Sequence, residues 1–227
     1  MTAIFDNCAP RYSKEVQSSI NFSGLRHDFF LEAKAELLAR TLRNHFGARK
    51  PSVALDIGCG VGLLHSRLAP LFDRVVAVDT SFVSIEQAKR LNPSVEYSVV
   101  DQSLPFDAGT FDVTLTVCVL HHVSPKLWPA FMAEMHRVTR RDGLICIIEH
   151  NPLNPLTRLA VSRCSFDADA VLLRATKTTA LLKGAGASDI NTEFFLTLPT
   201  RRRFAVPVER LLRRLPLGAQ YLVSAKA

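Results

Sequence analysis

The run Val53-Ala-Leu-Asp-Ile-Gly-Cys-Gly-Val-Gly62 places Gly58, Gly60 and Gly62 directly after a short apolar stretch. Glycine weakens regular structure unless the backbone needs its freedom, so a bare main chain is called for at this place. A strand that feeds such a turn into a helix offers a ligand its amide N–H groups and the positive end of the helix. The next apolar run, 74–79, ends on Asp79, about 20 residues beyond Gly58, where a carboxylate can accept from both hydroxyls of a ribose. Asp101 closes a third run and adds a polar contact to the same ligand. A pyrophosphate is disfavoured, because Leu63 stands where the third glycine of the dinucleotide fingerprint is needed. Three histidines follow later runs: His121 and His122 after the fourth, His150 at the end of the fifth. Imidazole exchanges protons near neutral pH, so these are the groups able to take a proton from a substrate.

These groups need elements to hold them. Residues 28–46 repeat apolar side chains at helical spacing, with Asp28 suited to the N-cap. Residues 52–57 read as a strand buried on both faces. A helix over 61–72 follows, then a strand over 74–79, a helix over 81–91 capped by Ser81, and strands over 95–101 and 110–120. Ser124-Pro125 opens a helix through Arg140, and Gly143 turns the chain into a fifth strand at 144–150. Alternation of strand and helix at short intervals predicts an α/β fold with a doubly wound, mostly parallel sheet. After 150 the chain is punctuated by Pro and Asp, with a helix near 176–187 and strands over 189–199 and 219–227 that close the sheet as an antiparallel hairpin. Between them, residues 208–215 put Val208, Leu211, Leu212 and Leu215 on one helical face and arginines on the other. The organisation expected is one domain over 1–227. It comprises a helical lead-in and cap (1–50), a cofactor-binding core (51–150), and a substrate-covering region with closing strands (151–227).

The chain of 227 residues is 48% apolar, enough for a globular core. No apolar stretch approaches the ~20 residues that span a bilayer, and the first residues lack a secretory pattern. Its five cysteines are scattered and form no CxxC pair, which disfavours a disulfide framework or zinc cluster and suits a cytoplasmic location. The net charge of +7 is concentrated in the tail, where Arg201, Arg202, Arg203, Arg210, Arg213, Arg214 and Lys226 face only Glu209. A solvated face is the first reading of that cluster, attraction of an anionic substrate the second, and weak contact with a membrane surface, suiting a lipid-linked substrate, the third. A nucleic-acid partner is disfavoured, since the positive charge is not spread over a whole face.

Five ordered blocks carry a resemblance: LDIGCGVG (55–62), VVAVDTS (75–81), VDQSLPFDAGTFDVT (100–114), VLHHV (119–123) and EMHRVTRRDGLICIIEH (134–150). Together with FDNCAPRY (5–12), they resemble the class I S-adenosylmethionine-dependent methyltransferases, in particular the type 11 group that includes ubiquinone/menaquinone enzymes. The resemblance implies a seven-stranded Rossmann-like sheet and S-adenosyl-L-methionine as cofactor. It assigns Asp56 and the backbone of Gly58 and Gly60 to the amino-acid end of that cofactor. Asp79, with neighbouring Thr80, goes to the ribose, and Asp101 and Gln102 to the adenine. The main chain around Cys118 goes to the methionine ammonium, and Tyr12 either covers the cofactor, the reading its motif favours, or packs against the fold. Where the group commonly has Pro-Gly-Gly, this chain has Arg141-Asp142-Gly143, a change in a structural turn.

Methyl transfer from a sulfonium requires alignment, exclusion of water and, for a hydroxyl acceptor, a proton acceptor. His122, His150 and His121 are the candidate bases; His27, His45, His65 and His136 read as ordinary surface or interface residues. No metal-ligand spacing is present, and none is expected. The function expected is methylation of a small-molecule acceptor, oxygen ahead of nitrogen or carbon. An RNA methyltransferase and a non-catalytic cofactor-binding scaffold are the alternatives.

Overall fold

The apolar runs become strands because they must bury two faces at once. The computed structural model describes residues 11–101, 103–200 and 205–227. Its elements in chain order are α1 (Tyr12–Ile20), α2 (His27–Phe46), β1 (Val53–Ile57), α3 (His65–Leu68), β2 (Arg74–Asp79), α4 (Phe82–Leu91), β3 (Glu96–Val99) and β4 (Phe111–Val117). There follow α5 (Trp128–Val138), β5 (Thr139–His150), α6 (Pro155–Ser162), α7 (Ala175–Gly184), β6 (Ser188–Phe195), α8 (Ala205–Leu212) and β7 (Gln220–Lys226). The seven strands form one sheet in the order β3-β2-β1-β4-β5-β7-β6. The first five are mutually parallel, and β7 runs antiparallel to both β5 and β6, as the sequence predicts.

Alternate residues of each strand feed different layers. Ala54, Ala77, Leu115 and Ile148 pack with Leu38 and Leu42 of α2 on one face. Leu55, Val78, Ile147 and Val223 pack with Met132 and Met135 of α5 and Leu182 of α7 on the other. Burying each leucine or methionine of these layers stabilises by roughly 1.5–3 kcal/mol. At the start of the sheet, buried Asp112 of β4 accepts from the amides of Ser52 (2.7 Å) and Val53 (2.8 Å) and pairs with Arg140. This ties β1, β4 and β5 at their N-terminal ends, opposite the carboxyl edge of the sheet.

Several boundaries differ from the sequence reading, each for a local reason. α2 starts at His27, not at an Asp28 cap: Gln17 Oε1 of α1 accepts from the His27 amide at 2.8 Å, so the orphan donor is satisfied by another helix. The helix expected over 61–72 shrinks to α3 and a 3-10 turn, Ala69–Leu71, because Pro70 supplies no N–H to continue it. Pro129 likewise resets the later helix. The segment Pro125–Leu127 is a 3-10 turn and α5 begins at Trp128. β5 begins at Thr139 rather than 144. Phe111 opposes Thr139 and Val113 opposes Leu144, so Arg140–Gly143 bulge out of the ladder between two paired pieces. Ser81 does cap α4, its Oγ accepting from the Ser84 amide at 3.1 Å.

Candidate functional site

The sheet order reverses between β1 and β4, and in open α/β sheets that switch point opens a crevice at the carboxyl edge. Here it holds a cavity of about 760 Å³, bounded by the turn after β1, the ends of β2 and β4, helices α1 and α2, and the segment after β5.

Two glycines of the first turn serve different purposes. Gly58 has φ +78, and a Cβ there would stand 2.5 Å from Val119 Cγ2, so the turn after β4 packs directly on it. Gly60 has φ +53, and a Cβ there would meet nothing within 4 Å. The first is bare for packing; the second leaves open space in the cavity wall. Asp79 ends β2 beside this turn, Oδ2 accepting from the Gly60 amide (2.8 Å) and Oδ1 from the Ser81 amide (2.9 Å). Burial raises its pKa, and these backbone donors pull it partly back. Thr80 and Asp101 line the same cavity, while Gln102 lies outside the described residues.

Asp56 of β1 is 4% exposed. Its Oδ2 lies 2.9 Å from His65 Nε2, and His65 Nδ1 lies 2.6 Å from the Tyr97 hydroxyl. With a carboxylate as acceptor, the ring proton sits on Nε2 and Tyr97 donates to Nδ1. The other oxygen, Oδ1, is buried without a hydrogen-bond partner among the described residues. A buried carboxylate oxygen left unpaired is costly, which makes it a docking point for a cationic or N–H donor group. His65, read from the sequence as an ordinary surface or interface residue, is fully buried in this chain. His27, also read as a surface group, lines the cavity; burial, with Lys34 nearby, lowers its pKa to about 4.

Lys34, on the apolar face of α2, is 8% exposed and has only Cys118 Sγ, at 3.4 Å, as a side-chain hydrogen-bond partner among the described residues. Cys118 follows β4 in the left-handed region, φ +58, a conformation that non-glycine residues rarely hold away from functional sites. Burial pushes its thiol up, but Lys34 and His150 outweigh this and hold it at about 7. Gln220 of β7 donates to the same sulfur at 3.5 Å. Nothing local marks Lys34, which reads as one more polar residue in an amphipathic helix.

The histidines gather with two carboxylates that the sequence reading missed. His121 Nδ1 is 2.7 Å from Glu149 Oε2, whose other oxygen accepts from the amides of Val119 (2.9 Å) and Leu120 (2.6 Å). His121 Nε2 faces Asp167 Oδ1 at 3.6 Å, and His122 Nε2 approaches the same oxygen at 3.2 Å. Burial alone would lower the His121 pKa; Glu149 and Asp167 instead raise it to about 10. The same imidazoles overcome burial at Asp167 and hold its carboxyl below the usual range. His121 is 2% exposed with both nitrogens facing carboxylates, whereas His122 and His150 stand further forward. Tyr12, on α1, stacks on Phe166 at 5.1 Å between ring centroids, joining the N-terminal helix to the segment that carries Asp167. Of the sequence-selected residues, Tyr12, Asp56, Gly58, Gly60, Asp79, Thr80, Asp101, Cys118, His121, His122 and His150 all line this one cavity. The arginines at 201–203 lie outside the described residues.

Residues 55–147 match the family described as "Methyltransferase domain", type 11. The mitochondrial ubiquinone biosynthesis O-methyltransferase of Schizosaccharomyces pombe is 34% identical over 168 residues, covering 70% of this chain and 51% of that protein. Norajmaline N-methyltransferase of Rauvolfia serpentina is 33% identical over 118 residues, 48% of this chain and 40% of the relative. The chain spans about half the length of the curated relatives it matches. Among solved structures, a SAM-dependent methyltransferase of Thermotoga maritima superposes with a TM-score of 0.73 at 16% identity, covering 100% of this chain and 99% of that one. One from Archaeoglobus fulgidus gives 0.64 at 18% identity, covering 88% and 100%. These likenesses extend the fold over the entire length.

Proposed function

We propose that this chain, whose core belongs to the class I S-adenosylmethionine-dependent methyltransferases of the type 11 group, transfers a methyl group to an oxygen of a small-molecule acceptor. The observation that carries the reading is the pairing, at the topological switch point, of open space beside Gly60 with the unpartnered Asp56 Oδ1. The residues present fit S-adenosylmethionine. Asp56 Oδ1 would accept from its ammonium, Asp79 from its ribose hydroxyls, and Lys34 would face its carboxylate, with Asp101 and Thr80 bordering the nucleoside. When bound, S-adenosylmethionine supplies a sulfonium methyl group to a nucleophile held in line.

The chain's own part is to position the acceptor, keep water out and remove a proton. Tyr12 and Phe166 close over the cavity from two separate segments. Phe29, Phe131 and Leu198 give its acceptor side an apolar lining that suits a small organic molecule. For a hydroxyl acceptor, the new C–O bond replaces the C–S bond, and the hydroxyl proton passes to a ring nitrogen of His122, whose ring is oriented by Asp167. Support for oxygen comes from the ubiquinone O-methyltransferases among the relatives. The Rauvolfia relatives are N-methyltransferases and favour a nitrogen acceptor as the second reading. No helix among the described residues is long and apolar enough to cross a membrane.

Incubating the purified chain with methyl-labelled S-adenosylmethionine and fractionated cell extract, then reading products by mass spectrometry, tests the proposal. A labelled O-methyl product is the expected result. Label in RNA alone, or no transfer to any fraction despite donor binding, would remove this reading.

A further inference from the structure

At the inner end of the cavity three groups from separate segments converge. His121 follows β4, His150 ends β5, and Asp167 closes the 3-10 turn Ser165–Asp167. Two nitrogens and a carboxylate oxygen of these residues all lie within 4.8 Å of one another. His121 Nε2 and Asp167 Oδ1 are 3.6 Å apart. Two ligands on one tetrahedral ion, at bonds of ~2.0–2.2 Å, stand ~3.3–3.5 Å apart, so this pair is already near the spacing a metal requires.

The surroundings are those of a metal centre. A metal-ligating histidine normally gives its second nitrogen to a carboxylate or similar group that fixes the ring. Here Glu149 holds His121 Nδ1 at 2.7 Å. Asp167 Oδ1 is buried, with His122 Nε2 at 3.2 Å and His121 Nε2 at 3.6 Å beside it.

We propose that His121, His150 and Asp167 form a binding site for a divalent first-row transition-metal ion, with zinc(II) the best match to the ligand set. Two histidines and one carboxylate leave coordination positions open, and the three residues line the acceptor side of the cavity. The site stands on its own geometry. Only its use, holding and acidifying an acceptor oxygen, rests on the methyl-transfer reading. No spacing in the sequence reveals it, because β4, β5 and the segment after α6 each supply one ligand.

The test uses the full chain stripped with a chelator and reloaded with Zn²⁺ alone or Co²⁺ alone. The wild-type chain should take up one equivalent of either, gain thermal stability, and show visible absorption bands with cobalt. His150→Ala and Asp167→Asn should each lose the equivalent and the bands. Glu149→Gln, which keeps all three ligands, should bind zinc about 10–100-fold more weakly. Substoichiometric uptake by the wild type, or full zinc affinity retained in all three variants, would overturn the site. Calorimetry with S-adenosylmethionine on the same samples keeps the two readings separate. Loss of donor binding in the wild type counts against methyl transfer, while loss of zinc with donor binding intact counts against the metal.

Discussion

The donor half and the acceptor half of the cavity are built on different plans. The proposed donor half rests mainly on backbone: a glycine turn after β1, amides that bond Asp79, and a carboxylate at the end of β2, with Lys34 and Asp101 joining from outside that stretch. The acceptor half is made from side chains gathered from α1, α2, the ends of β4, β5 and β7, and the segment around Asp167. A common ligand can be met by main-chain geometry that tolerates few changes. An acceptor is met by side chains that can be exchanged without rebuilding the sheet. Substitutions in the two halves should therefore separate cleanly into effects on donor affinity and effects on turnover.

The largest expected effect is on the acceptor side. His122→Ala should lower kcat by about 100-fold or more while leaving donor affinity within twofold, if proton removal is its role. Steady-state kinetics with the acceptor identified by the extract screen, together with calorimetry, checks both numbers. A matching loss of donor affinity would blur the division between the halves.

On the donor side, Asp79→Ala should weaken S-adenosylmethionine binding by about 1.5–3 kcal/mol, an order of magnitude or more. Its pH behaviour follows from burial. The Asp79 pKa is raised, so its accepting carboxylate form is lost as pH falls through a value above the usual aspartate range. Donor affinity should fall with it, and Asp79→Asn should flatten that acid limb in a calorimetric pH series. An unchanged limb would assign it to another group.

Next comes Gly60→Ala. A left-handed φ costs an L-residue about 1–2 kcal/mol of stability, but nothing in the protein obstructs the added methyl. Thermal denaturation should show a modest loss of Tm, while the methyl intrudes on the donor's space and weakens binding severalfold. Normal donor affinity would mean that the ligand does not approach this turn. The smallest effect on turnover is expected from Phe166→Ala, which removes the stacking partner of Tyr12. It should raise KM for the acceptor while leaving kcat near normal, with a stability loss of about 3–5 kcal/mol because the ring is buried.

The same contrast explains what could be read before folding. The glycine turn and the Asp79 beside it were legible because glycines at φ +78 and +53 and strand-ending aspartates are local signals. The strands of the core announced themselves as apolar runs between turn residues, and the antiparallel closing hairpin was expected from its two late strands. The start of β5 at Thr139 was hidden because Arg140, Arg141 and Asp142 sit in a bulge, where polar side chains need not alternate with apolar ones. His65 was misread because a lone histidine in a helical pattern carries no sign of the Asp56 and Tyr97 that bury it. Lys34, Glu149 and Asp167 were missed for one reason: each finds its contacts only among partners far away in the chain, and topology alone brings them together.

The central claim is that an unpaired carboxylate oxygen and an open glycine wall receive the donor. A crystal structure of the chain soaked with S-adenosylhomocysteine tests it most directly. The account predicts the ligand's ammonium within hydrogen-bond reach of Asp56 Oδ1 and its ribose on Asp79, with its backbone passing over Gly60. Density for the ligand elsewhere, with Asp56 Oδ1 still unpaired, would contradict it.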